Sequence, residues 1–557
     1  MEYNPITFVT SFIKIYDTIL DERTIEWRFN KFRDIAETGI PICVFVSPDC
    51  HDMLSNFTKN YTNVKIMKPV SLSETFVAKQ LQCIEYKLPE YRNTEKDTAE
   101  FLMLMNAKTE FLHNVAIENP WNSTHFAWID FSISYIFKNK IETLEYLRIL
   151  ARRKFTDEPF LLIPGCWDKG SEKHLLNLVI WRFCGGFLLG DKQSIIDFHQ
   201  LYKQYYLYFI EATGHLVWEV NFWAWLEINT EWSPRWYVAD HNDSIFKIPT
   251  DVFSRSLNEI STKTVYSYPK IDGFVPMQAA HVCLRGRHYL NTRYVNYLVL
   301  EKGHFKVSNE GGVIISKNVV SELDPVTNIP IDYHEMNENT VGLTSKSCQH
   351  YGLEDIRLYN FNNQIRFIAT NINYSPHYTN SMIVGDYHAE NRSYLNCRTA
   401  RSPYGVRCEK NWIPIIRHND NDEEFFIYKW YPMEIGKLDE TTNELTIMYR
   451  YPIHAPDFHR ARGSTVFIDR GDYLVGVVHF SEESTPRKYY HMLVALDKST
   501  LQPVKYSETF HFQRVGIEFC TGFTIRDMDY IFWISVHDCD ATMVSIAMDQ
   551  IPLCYEF

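Results

Sequence analysis

Apolar residues follow two different rhythms along this chain. In the first half, helical spacing shows in Lys108-Thr-Glu-Phe-Leu-His-Asn-Val-Ala116 and Gln193-Ser-Ile-Ile-Asp-Phe-His-Gln-Leu-Tyr202. Short apolar runs, Ile42-Cys-Val-Phe-Val46 and Val64-Lys-Ile-Met67, predict buried strands on either side of a helix at His51–Tyr61. His125-Phe-Ala-Trp-Ile-Asp130 reads as a strand ending in an acid. Alternation of this kind predicts an α/β layer around a mostly parallel sheet. Near residues 250–275 helical periodicity fades. Strands such as Gly312-Val-Ile-Ile-Ser316, Ile365-Arg-Phe-Ile-Ala-Thr370, Glu424-Phe-Phe-Ile-Tyr428 and Tyr473-Leu-Val-Gly-Val-Val478 then recur between Gly, Asn and Asp turns. Their soft period of about 50 residues is near the length of a propeller blade, with a β-sandwich as the competing reading.

With 557 residues the chain exceeds what one core usually organises, so two domains are expected. The expected boundaries are 1–250, a linker at 251–274, and 275–557. A net charge of −13 with no basic stripe argues against a nucleic-acid partner. Aromatics make up 15% of the residues, which suits either a large β-rich core or sugar binding. The start, Met1-Glu-Tyr-Asn-Pro5, reads as leading into an early strand rather than as a signal peptide. The apolar stretch Leu176–Gly190 is short and holds Arg182, so a buried element is expected there and no membrane span. The 12 cysteines show no CxxC pair or close Cys/His cluster; reduced thiols, a cytoplasmic setting and no zinc site are the expectation.

The sharpest motif is Gly352-Leu-Glu-Asp-Ile-Arg357. Two carboxylates beside an arginine at the head of a strand suit a general acid whose pKa burial raises, as glycosidic cleavage requires. A turn with a surface salt bridge is the competing reading. Asp355, Lys410, Arg462 and Glu518 follow one another at 52–56 residue intervals, a spacing that a propeller would bring to one channel. Further strings are Arg293-Tyr-Val-Asn-Tyr297, Glu409-Lys-Asn-Trp-Ile-Pro414, Tyr428-Lys-Trp-Tyr-Pro432, Arg462-Gly-Ser-Thr465, Val478-His479, Tyr489-Tyr-His491 and Gly516-Ile-Glu-Phe-Cys-Thr-Gly522. In this order they resemble the five-bladed propeller of glycoside hydrolase family 130 and the related glycosyltransferase family 108, from about Val275 onward. The resemblance implies Asp355 as the acid with Glu354 and Arg357 beside it. It further implies Arg293, Lys410, Asn411 and Arg462 around an anionic group, His479, Tyr490 and His491 near the sugar, and Glu518 as a second channel carboxylate.

In the first half, Met105-Asn-Ala-Lys108, Asn119-Pro120, Trp128-Ile-Asp130, Gly185-Gly-Phe-Leu-Leu-Gly190 and Trp218-Glu-Val-Asn221 follow the order seen in the HtrL/YibB family. The resemblance implies a GT-A-like, Rossmann-type glycosyltransferase over residues 1–245. Lys108 and Asp130 would then contact a nucleotide diphosphate and its Mn2+ or Mg2+, and Glu219 would be an acidic residue near the acceptor, placed to act as general base. Ser132 stands where a second aspartate would complete an Asp-x-Asp pair, which leaves metal dependence open. Asp240, His241 and Asp243 form a later polar cluster, read as an exposed charged loop, with a source of the missing metal ligand as the competing reading.

Together these readings give a GT-A-like α/β domain followed by an all-β five-bladed propeller. The expected function is a bifunctional glycosyltransferase, using a nucleotide sugar in the first domain and transferring or phosphorolysing a sugar such as mannose in the second. Its partners would be a sugar donor and a glycan or glycoprotein acceptor. The alternatives are a single-activity transferase with a glycan-binding propeller, and a glycoside phosphorylase or hydrolase with an inactive N-terminal domain.

Overall fold

The structure is a computed structural model. It describes residues 5–15, 23–153, 155, 158–170, 172–300, 303–346, 350–375, 378–418, 422–455 and 457–557. The chain divides into two compact units, Met1–Val252 and Phe253–Phe557.

The first unit is built on a seven-stranded sheet. Its strands are β1 (Ile6–Phe12), β2 (Ile42–Val46), β3 (Val64–Ile66), β4 (His125–Ile129), β5 (Leu161–Gly165), β6 (Phe187–Asp191) and β7 (Arg235–Val238). The order is β3-β2-β1-β4-β6-β5-β7. All five residues of β2, β4 and β5 are buried, as strands covered on both faces must be, which is why they read as unbroken apolar runs. Helix Lys192–Thr213 starts where Asp191 Oδ1 accepts from the Gln193 and Ser194 amides, at 2.9 and 3.0 Å. It stops at Gly214, whose φ of +67° ends the helix with a left-handed residue. The sheet is mostly parallel, as expected, through the β1–β2, β1–β4, β2–β3 and β5–β7 pairings, but β6 runs antiparallel to both β4 and β5, so it is mixed and a GT-A-like fold does not follow from it.

One feature of this sheet positions a site. β1 pairs in parallel with β2 on one side and β4 on the other, so successive connections leave it in opposite directions. A crevice opens at such a switch point, outside the carboxyl ends of the two strands.

In the second unit four sheets have the form of propeller blades. The first contains Val275–Leu284, Arg287–Val295, Ile314–Leu323 and His334–Glu335, with His350–Tyr351 added along Ile314. The second is Glu354–Phe361, Gln364–Asn371, Ser381–His388 and Ser393–Thr399, and the third Ile413–Arg417, Glu423–Trp430, Met433–Leu438 and Leu445–Tyr451. The fourth is Glu518–Arg526, Asp529–Val536 and Asp540–Ala547, completed by Thr262–Val265 from the start of the unit. Among the described residues this corrects the expected five-bladed propeller to four blades. The segment 462–511 instead contributes six strands to an eight-stranded composite sheet, completed by Arg255–Ser256 and Tyr555–Glu556. Irregular pairing of this kind is invisible to a 50-residue period, because its partners come from the two ends of the unit.

Candidate active site

The Glu354–Arg357 segment begins the second blade after a tight corner. Gly352 has φ +81°, and a Cβ there would lie 1.9 Å from the Ser316 carbonyl oxygen, so glycine alone fits. Asp355 itself has φ +52°, a conformation that costs energy for a residue with a side chain. The strand register slips between Glu354 and Arg357, so this bulge turns Asp355 out of the regular alternation.

Buried Arg293 organises the two acids. Its Nη1 donates to Asp355 Oδ1 at 2.8 Å, its Nη2 to Glu354 Oε2 at 3.0 Å and its Nε to Ser316 Oγ at 2.9 Å. Gln278 Nε2 also donates to Asp355 Oδ1 at 2.8 Å. Burial pushes the Asp355 carboxyl upward, but Arg293, Lys410 and Arg357 with the Gln278 bond outweigh it and hold the group below the usual aspartate range. Asp355 is therefore an ionised carboxylate in the resting protein. This reverses the expectation of a pKa raised by burial.

The raised carboxyl lies elsewhere. Asp538, in the turn between Asp529–Val536 and Asp540–Ala547, is pushed from the ordinary 3.8 to about 6. Burial is the main cause; Arg293 and Lys410 lower it and the negative charge of Asp355 raises it. Two acids sharing the same cations are thus driven apart, the pattern that separates proton donor from ionised partner in acid–base sites. Tyr297 and half-buried Tyr489 lie within reach of both acids' charges.

The remaining expected residues divide into those that face this group and those that do not. Lys410 is exposed and acts on both Asp355 and Asp538. Arg462 is exposed and pairs in register with His479. His479 is buried, its Nδ1 has no hydrogen-bond partner, and burial together with His491, Arg357 and Arg462 keeps it neutral. Arg357, expected beside the acid, ties the sheets together. Its donors go to the carbonyls of Ser464 (2.7 Å), Asp355 (3.1 Å) and Gly463 (3.3 Å) and to Asn411 Oδ1 (3.1 Å), which also commits Asn411. Burial lowers the Arg357 guanidinium to about 10.

Glu518, expected as a second channel carboxylate, is committed to backbone amides. Fully buried, its Oε2 accepts from the Phe512 amide at 2.7 Å and its Oε1 from the Gln513 and Arg514 amides at 2.8 and 2.9 Å, so it anchors a loop. Tyr490 points into a hydrophobic core beside Phe480, because strand alternation gives the other face to Tyr489 and His491. His491 lies between Phe510 and Phe512, with burial driving its imidazole down to about 3; it is a core residue.

In the first unit, Lys108 opens helix Lys108–Glu118 and Glu219 opens helix Glu219–Asn229. The buried Lys108 Nζ donates to Glu219 Oε1 and the Gly185 carbonyl, both at 2.8 Å, and lies 3.0 Å from Asp130 Oδ1. Burial alone would lower this lysine, but the charges of Asp130 and Glu219 raise it above its ordinary range. Trp128 Nε1 donates to the same Asp130 oxygen at 2.8 Å. A Cβ on Gly185 would meet Glu219 Oε1 at 2.1 Å, so the Gly185-Gly186 turn is what lets the carboxylate approach. These residues do not fit the Mn2+ or Mg2+ expected at Asp130. Both acids already face one buried ammonium, against which a divalent cation would be repelled.

Asp130 also lines a cleft of about 480 Å³ at the β1/β4 switch point, together with Lys14, Arg23, Trp27, Lys96 and Tyr135. Of the later polar cluster, Asp243 is buried and accepts from Thr143 Oγ1 at 3.2 Å, while Asp240 is exposed. No helix among the described residues is long and apolar enough to cross a membrane.

A family model described as "Bacterial protein of unknown function (HtrL_YibB)" matches residues 5–213. Solved structures are similar over the C-terminal half. The β-1,2-mannobiose phosphorylase from Listeria innocua is 10% identical, with 51% of this chain and 93% of that one covered and a TM-score of 0.35. A mannose phosphorylase from Leishmania mexicana, in complex with phosphate ion, is 13% identical, with coverage of 52% and 89% and a TM-score of 0.36. A putative glycoside hydrolase from Parabacteroides distasonis is 9% identical, with coverage of 49% and 86% and a TM-score of 0.35. No curated protein matches the sequence.

Proposed function

We propose that this chain is a carbohydrate-active enzyme whose C-terminal unit breaks or forms a glycosidic bond. The observation that carries this reading is the opposed displacement of Asp355 and Asp538 around Arg293 and Lys410. Asp538, protonated in part near neutral pH, gives its proton to the glycosidic oxygen of the leaving sugar. Ionised Asp355, fixed by Arg293 and Gln278, stabilises the positive charge that develops at the anomeric carbon or orients a sugar hydroxyl. Arg293 and Arg357 spend their donors on protein acceptors. The cations left for an anionic co-substrate, inorganic phosphate or a sugar phosphate, are exposed Lys410 and Arg462.

The first unit takes the donor of a transfer reaction in the same reading. A nucleotide diphosphate sugar suits the cleft at the switch point, with Lys14, Arg23 and Lys96 toward the phosphates and Trp27 and Tyr135 toward a base or sugar ring. Glu219 is too enclosed by Lys108 and Gly185 to reach an acceptor, and orients Asp130 through the shared lysine. Synthesis of a glycan, with mannose as one candidate sugar, joins the two activities.

The test is a screen of nucleotide sugars, sugar 1-phosphates and β-linked disaccharides with phosphate, run on wild type, Asp538→Asn, Asp355→Asn and Asp130→Ala. Loss of disaccharide turnover in the first two variants alone, and of nucleotide-sugar turnover in the third alone, supports two sites. Disaccharide turnover unaffected by Asp538→Asn overturns the assignment of the acid.

A further inference from the structure

The cysteine spacing gives no reason to expect a metal site, yet the fold gathers one. Cys166 follows β5, Cys184 precedes the Gly185-Gly186 turn, and His241 follows β7. In sequence they are separated by 18 and 57 residues. Backbone pairing brings them together. β5 and β7 run in parallel with Gly165 beside Val238, the Ala239 amide donates to the Gly165 carbonyl at 2.8 Å, and the Cys184 amide donates to the Pro164 carbonyl at 2.7 Å. As a result Cys166 Sγ lies 3.6 Å from Cys184 Sγ and 3.7 Å from His241 Nδ1, and the three ligand atoms all lie within 4.8 Å of one another.

These separations have a chemical meaning. At 3.6 Å the two sulfurs are far beyond the ~2.05 Å of a disulfide. With Zn–S bonds of ~2.3 Å and Zn–N bonds of ~2.0 Å, tetrahedral angles place two ligand sulfurs ~3.8 Å apart and a sulfur and nitrogen ~3.5 Å apart. The Cys166–Cys184 and Cys166–His241 separations already come close to those distances, and the third pair lies within 4.8 Å, so small side-chain adjustments bring all three atoms onto one ion. Two thiols and an imidazole select a thiophilic cation over Mg2+ or Ca2+. The imidazole is held in place by Trp181, whose ring meets it edge to face with centroids 3.8 Å apart.

We propose that Cys166, Cys184 and His241 form a binding site for a zinc-like, thiophilic divalent cation. The fourth position falls on the solvent side, where Asp240 Oδ1 lies 3.8 Å from His241 Nδ1 and where water has access, the His241 and Asp240 side chains being 45% and 74% exposed. Binding releases the two thiol protons, and the ion clamps the ends of β5 and β7 to the segment that carries Gly185. That segment's carbonyl holds Lys108, so the site braces the Lys108–Asp130–Glu219 group from outside it. The inference stands apart from the proposed activities, because it rests on the ligand geometry alone.

The experiment is a titration of the reduced, metal-stripped full chain with Co2+, then Zn2+, followed by absorption spectroscopy. We expect one Co2+ per chain, a thiolate-to-cobalt charge-transfer band, and displacement of Co2+ by one equivalent of Zn2+. The band should lose about half its intensity or vanish in Cys166→Ser, at a partly exposed position. In His241→Ala it should persist with affinity weakened at least tenfold. Absence of the band in wild type overturns the proposal, as does a band unchanged in Cys166→Ser. A Cys166–Cys184 disulfide found by mass spectrometry in protein prepared anaerobically with reductant also overturns it.

Discussion

Replacing Asp538 with asparagine tests the site through stability before any substrate is known. The native protein holds this carboxyl at about 6 against an ordinary 3.8. At about 1.4 kcal/mol per pH unit, that rise corresponds to on the order of 3 kcal/mol by which the folded state disfavours the ionised form. The side chain is partly open to solvent at its turn, so screening reduces the figure to ~1–3 kcal/mol. The sign follows from linkage. A group raised on folding favours the native state fully below its unfolded pKa, and the advantage is lost as pH rises through about 6. Above pH 6 the wild type therefore carries a penalty that the neutral asparagine does not. We expect Asp538→Asn to be more stable than wild type at pH 8, by several degrees in the melting transition of the C-terminal unit. The difference should shrink toward zero near pH 4. Differential scanning calorimetry of both proteins across that range is the assay. A variant less stable than wild type at pH 8, or a difference independent of pH, refutes the placement of a penalised carboxyl at 538.

Asp355→Asn should act in the opposite direction, since Asp355 is lowered on folding and stabilises the protein above its unfolded pKa; loss of this Arg293 partner should cost ~1–3 kcal/mol at pH 7 in denaturant melts, with the wild-type advantage fading as pH falls through 3.8 and below. Glu518→Gln should destabilise the protein by ~1–3 kcal/mol through its three amide bonds while leaving kcat within about threefold, a split that a catalytic carboxylate would not show. Lys108→Met leaves Asp130 and Glu219 facing each other without a counter-charge, and should cost ~3 kcal/mol in calorimetry of the N-terminal unit. Once a disaccharide substrate is in hand, kcat/KM should fall about tenfold per pH unit above 6 as Asp538 loses its proton, and a profile flat to pH 8 would argue against it.

The sequence announced its elements more reliably than their assembly. Helices at 108–118 and 192–213 and strands at 42–46 and 364–371 lie where periodicity placed them, because each buries one continuous apolar pattern. The antiparallel β6 left no trace, since a fully buried strand has the same composition in either direction. The composite sheet was hidden because Arg255–Ser256 and Tyr555–Glu556 enter it from the ends of the unit. Within the site, the Glu-Asp-x-Arg string marked Asp355 and its neighbours, but it could not show which carboxyl its arginines leave protonated. Asp538 sits in Val536-His-Asp-Cys-Asp540, an ordinary hairpin turn by composition; only the fold sets it against Arg293 and Lys410. The left-handed backbone of His537 and Asp538, at φ +53° each, is its local signature, and no residue type there gives it away. A Tyr-Tyr-His string does not say which side of the strand faces the acids, so the sequence points to Tyr490 where the fold presents Tyr489.

The most direct measurement is the titration of the two carboxyls themselves. With 13C-labelled aspartate, the carboxyl resonances missing from Asp538→Asn and Asp355→Asn identify the two groups in wild type. We expect the Asp538 signal to titrate near pH 6 and the Asp355 signal below 3.8. An Asp538 carboxyl that titrates at or below 4, or an Asp355 carboxyl that titrates above it, would contradict the division of roles on which the proposed enzyme rests.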